Sequence, residues 1–78
     1  MNSKRHETVD GLVVSDPGIL GGTPVFRDSR VPVRTLFEYL AAGLSLDYFL
    51  ETFPTVTREQ ALSLLQQSER RIERELAA

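Results

Sequence analysis

The sequence PVRTLFEYLAAGLSLDYFLETFPTVTREQ, residues 32–60, contains two amphipathic repeats and the start of a third. In the first repeat, apolar residues follow the i, i+3, i+4, i+7, i+8 spacing of one helix face: Val33, Leu36, Phe37, Leu40 and Ala41. The second repeat has the first four positions of the same spacing: Leu46, Phe49, Leu50 and Phe53. The pattern predicts helices over about 33–42 and 46–53, each with one buried face.

Residues that start and stop helices lie at the ends of both repeats. Pro32 stands where a helix tolerates proline, and Gly43 suits the left-handed cap that ends a helix. Ser45 is a favoured N-terminal cap for the second helix, which Pro54 then stops. The sequence therefore predicts short connections between the helices, of roughly three or four residues.

A third helix is predicted over about 58–75. Thr57 and Gln60 have the spacing of a capping box, and neither Gly nor Pro occurs from Arg58 to the last residue. The apolar residues of this segment lie roughly along one stripe that is wider at its start: Ala61, Leu62, Leu64, Leu65, Ile72 and Leu76. The fold class is therefore mainly α, a three-helix core of the helix-turn-helix type, in which the third helix would read DNA.

The segment before these helices, residues 12–32, has the composition of a short β-arm or hairpin. Residues 12–14 and 25–27 are β-prone runs separated by Gly- and Pro-containing turns. Residues 1–11 are polar, and we expect them to form a flexible leader ahead of a single domain over 12–78.

Length and composition limit what such a chain can do. Its 78 residues fit one small domain, and its formal net charge of −2 argues against nonspecific coating of nucleic acid. Cysteine is absent, which excludes disulfides and thiolate metal sites, and no apolar run has the length of a membrane span. We expect a cytoplasmic protein.

Residues that could carry catalysis are scarce. His6, the sole histidine, has no neighbouring ligand set or nucleophile. Gly21 and Gly22 do not form a phosphate loop, because the sole lysine is Lys4 and the rest of that motif is missing. We therefore expect no catalytic residue, no metal site and no cofactor in a protein that is not an enzyme.

The run DPGILGGTPVFRDSRVPV, residues 16–33, resembles the signature of the domain-of-unknown-function 433 family. That signature has an Asp-Pro pair, then Gly-x-Pro-Val/Ile, then Gly-Thr-Arg-Ile/Val-Pro-Val. It continues with Ala-Gly-Leu-Ser, present here as residues 42–45, and with an aromatic-Pro pair and a Thr or Ser cap, present as Phe53-Pro54 and Thr57. The resemblance covers about residues 12–68.

The resemblance implies a homeodomain-like helix-turn-helix fold behind a small β-element. It also implies a VapB-like antitoxin of a type II toxin–antitoxin pair, whose partner is a PIN-like ribonuclease toxin. We expect the chain to inhibit that toxin and to bind operator DNA as a homodimer, because operator sites are usually two-fold. The alternatives are a stand-alone helix-turn-helix regulator and a protein-interaction module that does not bind DNA.

Four residues of the signature are candidate structural residues of turns: Asp16, Gly22, Pro24 and Arg30. We expect Asp16 to accept hydrogen bonds within its turn, and glycine to fill positions of positive φ. The guanidinium of Arg30 is expected to bind Asp16, Asp28 or a backbone carbonyl. The alternative for Arg30 is a contact with DNA phosphate.

The first residues of a reading helix meet base edges. Candidate DNA contacts therefore lie at the starts of the first and third helices: Arg34, Arg58, Gln60 and Ser63. The alternative is an exposed helix start with ordinary capping. Candidate toxin contacts lie on the last helix: Arg70, Arg71 and Arg74. An arginine placed among the metal-binding carboxylates of a PIN-type ribonuclease would compete with the metal by charge pairing. The alternative is a solvated helix of mixed charge.

Overall fold

A small antiparallel sheet precedes the helices in the computed structural model, which describes residues 4–77. Its strands are β1 (His6–Glu7), β2 (Val13–Ser15) and β3 (Val25–Phe26), with β2 in the middle. Both neighbouring pairs are antiparallel. Strands this short are marginal alone, so the sheet depends on the helices that it contacts.

Three helices follow the sheet, as the amphipathic repeats predict. They are α1 (Val33–Ala41), α2 (Leu46–Thr52) and α3 (Arg58–Ala77). The predicted number, order and positions of the helices are confirmed, with ends that differ by one or two residues. Such differences lie within the uncertainty of any helix boundary.

The end of α1 is set by Gly43, which has a φ of +86°. Its backbone N–H donates to the carbonyl of Leu40, and that of Leu44 donates to the carbonyl of Tyr39, both at 3.0 Å. This pair of bonds is a Schellman motif, which requires a left-handed residue at the glycine position. The predicted cap is confirmed.

The starts of α2 and α3 are capped by side chains. The hydroxyl of Ser45 accepts a hydrogen bond from the backbone N–H of Tyr48 at 3.0 Å. The hydroxyl of Thr57 accepts from the N–H of Gln60 at 3.1 Å, while the Gln60 side chain accepts from the N–H of Thr57 at 2.9 Å. The predicted capping box is therefore present with both of its bonds.

The core lies where the sheet meets the three helices. Phe26 of β3 and Phe49 of α2 are fully buried, with ring centroids 6.3 Å apart. The buried cluster draws on every helix and on the loops: Leu12, Phe26, Val31, Leu36, Phe49, Val56, Ala61 and Leu64. Burial of such side chains is the main favourable term in folding.

The buried face of α1 differs from the predicted one. Leu36 is fully buried, but Phe37 is 39% exposed and Ala41 is exposed. Tyr39 packs on the core instead, and its ring lies edge-on to Phe49 at 5.6 Å. The predicted buried face of α1 is wrong on this edge, because Tyr39 faces α2 and the core where Phe37 and Ala41 were expected.

The N-terminal segment also differs from the prediction of a flexible leader over residues 1–11. From residue 4 onward it forms β1 and a turn, while residues 1–3 lie outside the described residues. Within the turn, the carboxylate of Asp10 accepts hydrogen bonds from the N–H of Leu12 at 3.0 Å and the hydroxyl of Thr8 at 2.8 Å. The signal that was missed is Asp10-Gly11, a dipeptide typical of tight hairpin turns.

The second half of α3 extends beyond the core. Ala61 and Leu64 are buried, but every residue over 69–77 is exposed. Ile72 is 57% exposed and Leu76 is 82% exposed, so the predicted apolar stripe is buried only at its start. A helix of this length is about 30 Å long, which is more than so small a core can cover. We call residues 69–77 the projecting part of α3.

Candidate functional site

The carboxylate of Asp16 closes the first turn of the signature. One of its oxygens accepts a hydrogen bond from the N–H of Gly18 at 2.8 Å, and the other pairs with the guanidinium of Arg5 at 3.1 Å. The Gly18 N–H, and then Arg5, hold the pKa of Asp16 below its usual range. The structure thus places Asp16 as an acceptor in a turn, which is the role that the sequence suggested.

The glycines and Pro24 connect this turn to α1. Gly21 and Gly22 have φ angles of +64° and +94°, a region that glycine enters without steric cost. The Gly22 carbonyl accepts from the hydroxyl of Ser15 at 2.5 Å, and the Pro24 carbonyl accepts from the N–H of Val33 at 3.0 Å. The signature loop therefore joins the sheet to the first residue of α1.

Arg30 does not have its expected partners. Within residues 4–77 its side chain makes no hydrogen bond or ion pair, and it is exposed. Arg5 pairs with Asp16 instead, from the segment that was expected to be a flexible leader. The predicted turn-locking bond of Arg30 is therefore wrong, and its guanidinium is available for another contact.

The turn before α1 is held by a serine hydroxyl rather than by arginine. The Ser29 hydroxyl donates to the carbonyl of Phe26 at 2.8 Å and accepts from the N–H of Val31 at 3.1 Å. Asp28 adopts the left-handed conformation with a φ of +61°. These two residues form the turn at the position where the family signature has Gly-Thr.

Gln60 and Ser63 face Arg27 and the turn between β1 and β2 rather than open solvent. The Gln60 amide nitrogen donates to the carbonyl of Arg27 at 3.2 Å, and its oxygen is used in the capping box. Both residues are half-buried and line a shallow cleft together with residues 10–12. Both polar groups of the Gln60 side chain are therefore already engaged within the chain, and residues 10–12 and Arg27 lie beside the face of α3 that would have to enter a groove.

The remaining candidate DNA contacts are two exposed arginines. Arg58, at the first position of α3, pairs with Asp47 of α2. Arg34, on α1, is exposed and makes no ion pair or side-chain hydrogen bond with any residue that the structure describes. The four candidate residues thus differ in environment, and Arg34 is the one with an unpaired charge.

The three arginines in the projecting part of α3, Arg70, Arg71 and Arg74, do not act as one cluster. Arg71 lies 3.7 Å from Glu75 on its own face of the helix. Arg70 and Arg74 lie one turn apart on another face and make no ion pair within the described part of the chain. Neighbouring helix positions differ by about 100°, so these two arginines and Arg71 point in different directions.

Arg70 and Arg74 form one wall of a cleft of about 590 Å³. The other wall is the turn between β1 and β2, and we call the space the turn–helix cleft. Its lining residues come from both ends of the chain: Glu7, Thr8, Val9, Asp10, Gln67, Arg70 and Arg74. This cleft could not be predicted from the sequence, because it depends on contacts between residues about sixty positions apart.

Both carboxylates of the turn–helix cleft already have partners. Glu7 pairs with Arg5 at 3.1 Å and with Arg27 at 2.9 Å, which hold the pKa of Glu7 below its usual range. The N–H of Leu12, and then the hydroxyl of Thr8, likewise lower the pKa of Asp10. The guanidinium groups are thus the unsatisfied part of this cleft.

Other kinds of site are not found in the part of the chain that the structure describes. Residues 4–77 bring together no group of three His, Cys, Asp or Glu side chains that could hold a metal ion. No helix among these residues combines the length and the apolar character that crossing a membrane requires.

Comparison with known proteins identifies a family. Residues 13–66 match the family described as "Protein of unknown function (DUF433)". The chain is also similar to the uncharacterized protein y4eO of Sinorhizobium fredii (strain NBRC 101917 / NGR234), with 47% identity over 49 residues. That match covers 63% of this chain but 22% of the relative, so the chain corresponds to about a fifth of the relative's length. No solved structure matches. Since the family match spans well over half of the chain, the protein belongs to the DUF433 family.

Proposed function

We propose that this chain is the antitoxin of a type II toxin–antitoxin pair and that it binds and inhibits a PIN-like ribonuclease. The observation that carries the proposal is the projecting part of α3, whose residues are all exposed. A helical segment whose residues are all exposed gains little stability from tertiary packing, which is the main source of helix stability in proteins. A partner that covers it would supply the missing contacts.

The apolar side chains of this segment favour a protein partner. Ile72 and Leu76 lie one turn apart and expose 57% and 82% of their surface. Exposed apolar side chains that lie together on a helix are typical of surfaces that bind another protein. They extend the stripe that Ala61 begins inside the core.

The charges of the same segment fit an acidic site. Arg70 and Arg74 carry guanidinium groups without carboxylate partners among the described residues. PIN-type ribonucleases gather carboxylates around a divalent metal, and an arginine inserted there would compete with that metal. Inhibition by arginine is therefore the mechanism that we propose.

Operator binding is a second candidate function, and a homeodomain-like arrangement belongs to it. The order of the helices and the short α2 favour such a core. Arg30 and Arg34 are exposed, unpaired within residues 4–77 and close in sequence to the start of α1. Because Gln60 and Arg58 are engaged, we propose that these arginines bind phosphates and that α3 contributes little base reading.

Co-expression with the product of the neighbouring gene tests the proposal. We expect a tag on this chain to capture that protein in the cytoplasm with its ribonuclease activity silenced. The double substitution Ile72→Asp/Leu76→Asp should abolish capture, while Gln66→Asp, an exposed site on the packed half of α3, should not. A stable wild-type complex that still cleaves RNA would contradict the antitoxin role. Absence of any complex would favour a stand-alone regulator.

A further inference from the structure

We propose that the turn–helix cleft binds a carboxylate-bearing segment of the partner protein. The inference rests on the proposed function, since the toxin is the partner considered. It adds a second contact surface, on the turn between β1 and β2, to the projecting part of α3. The bound segment would lie between the two walls, with carboxylates directed at Arg70 and Arg74.

The donors of the cleft are free and placed to act together. Arg70 and Arg74 are separated by one helical turn and make no ion pair within residues 4–77. Like charges at this spacing destabilise a helix slightly, so a carboxylate between them would relieve that repulsion. Guanidinium groups also match the planar geometry of a carboxylate.

The acidic groups of the opposite wall do not compete for these donors. Asp10 accepts hydrogen bonds from Thr8, from the N–H of Leu12 and from the side chain of Gln67. Glu7 pairs with Arg5 and Arg27, which lie next to strands β1 and β3. The cleft therefore presents satisfied acceptors on one wall and unsatisfied donors on the other.

The rim of the cleft selects a protein segment over nucleic acid. Val9, at the tip of the turn, is fully exposed and offers an apolar contact beside the two arginines. A short segment with an acidic residue next to an apolar one matches both the two arginines and Val9.

The test measures the affinity of full-length variants for the purified toxin. We expect Arg70→Ala/Arg74→Ala to weaken binding at least about tenfold, because two charge-assisted contacts are lost. The matched control Arg71→Ala removes one arginine from the face paired with Glu75 and should change affinity less than about twofold.

Substitutions of Val9 test the turn separately from α3. Val9→Asp places a negative charge beside the incoming carboxylates and should weaken binding, whereas Val9→Lys places an attractive charge there and should strengthen it. Unfolding curves show whether each variant is folded. If Val9→Asp does not fold, Val9→Lys still tests the turn. If the wild type binds but affinity is insensitive to every Val9 variant, the cleft inference is overturned while the antitoxin role stands.

The remaining outcomes are also distinct. If the wild type neither binds nor inhibits the toxin, the proposed function fails, and the cleft inference fails with it. If the Arg70→Ala/Arg74→Ala variant loses binding to duplex DNA but retains the toxin, the cleft is a phosphate site. That result would overturn the assignment to carboxylates.

Discussion

Gln67, in the middle of α3, donates a hydrogen bond to the carboxylate of Asp10 in the turn between β1 and β2. The two residues are 57 positions apart, and their contact joins the first strand pair to the last helix. It lies at the level where α3 leaves the core, so it fixes the distance between the two walls of the turn–helix cleft.

Loss of this hydrogen bond should release the turn. We predict that Gln67→Ala speeds amide hydrogen exchange at Gly11 and Val13 while the helices keep their protection, because the bond is exposed and local opening suffices. Gln66→Ala, the neighbouring exposed residue, is the control. Equal exchange in both variants would mean that the contact does not hold the turn.

The capping box of α3 should contribute measurably to stability. We predict that Thr57→Ala lowers the free energy of unfolding by about 1 kcal/mol, the usual cost of losing such a cap. Gln60→Ala should cost more, because it also loses the bond to the Arg27 carbonyl. Urea denaturation measures both, and a smaller effect for Gln60→Ala than for Thr57→Ala would contradict the geometry.

Phe49 lies in the core and Phe37 lies at the surface, so their substitutions should differ in cost. Phe49→Ala should cost about 3–5 kcal/mol, enough to unfold most of a domain this small. Phe37→Ala should cost much less, because that ring is 39% exposed. Circular dichroism and thermal unfolding test this directly. Comparable losses for the two variants would mean that α1 packs on the face predicted from the sequence.

Acid should weaken the N-terminal half. Hydrogen bonds and arginines lower the folded-state pKa of Glu7, Asp10 and Asp16. A lowered pKa adds stability that is present above the unfolded value of about 4, and that stability is lost as pH falls through the folded pKa. We predict that the midpoint temperature of thermal unfolding decreases as the pH is lowered below about 4. Asp10→Asn should make this decrease with pH smaller. An unchanged pH profile in that variant would contradict the prediction.

Local signals in the sequence were sufficient to predict where the helices begin and end. Gly43, Ser45 and the Thr57–Gln60 pair each act on residues within four positions, so their spacing alone predicts the caps. The same holds for the turn at Asp16, which is closed by Gly18.

Long-range contacts account for what the sequence could not predict. The Gln60 amide nitrogen donates a hydrogen bond to the carbonyl of Arg27, 33 positions earlier, and that bond decides which way the side chain faces. The pairing of Arg5 with Asp16 likewise depends on the sheet, whose edge strand lies in the supposed leader. The separation of Arg71 from the other arginines was predictable from helical geometry, but the cleft that Arg70 and Arg74 line was not.

Titration of the neighbouring gene's product, the proposed ribonuclease, with this chain tests the proposed antitoxin role most directly. RNA cleavage is followed while wild-type chain, or its Ile72→Asp/Leu76→Asp variant, is added to a fixed amount of enzyme. The antitoxin role predicts that wild type removes the activity at a fixed stoichiometry and that the variant does not, because the projecting part of α3 makes the contact. Full ribonuclease activity in the presence of excess wild-type chain would contradict it.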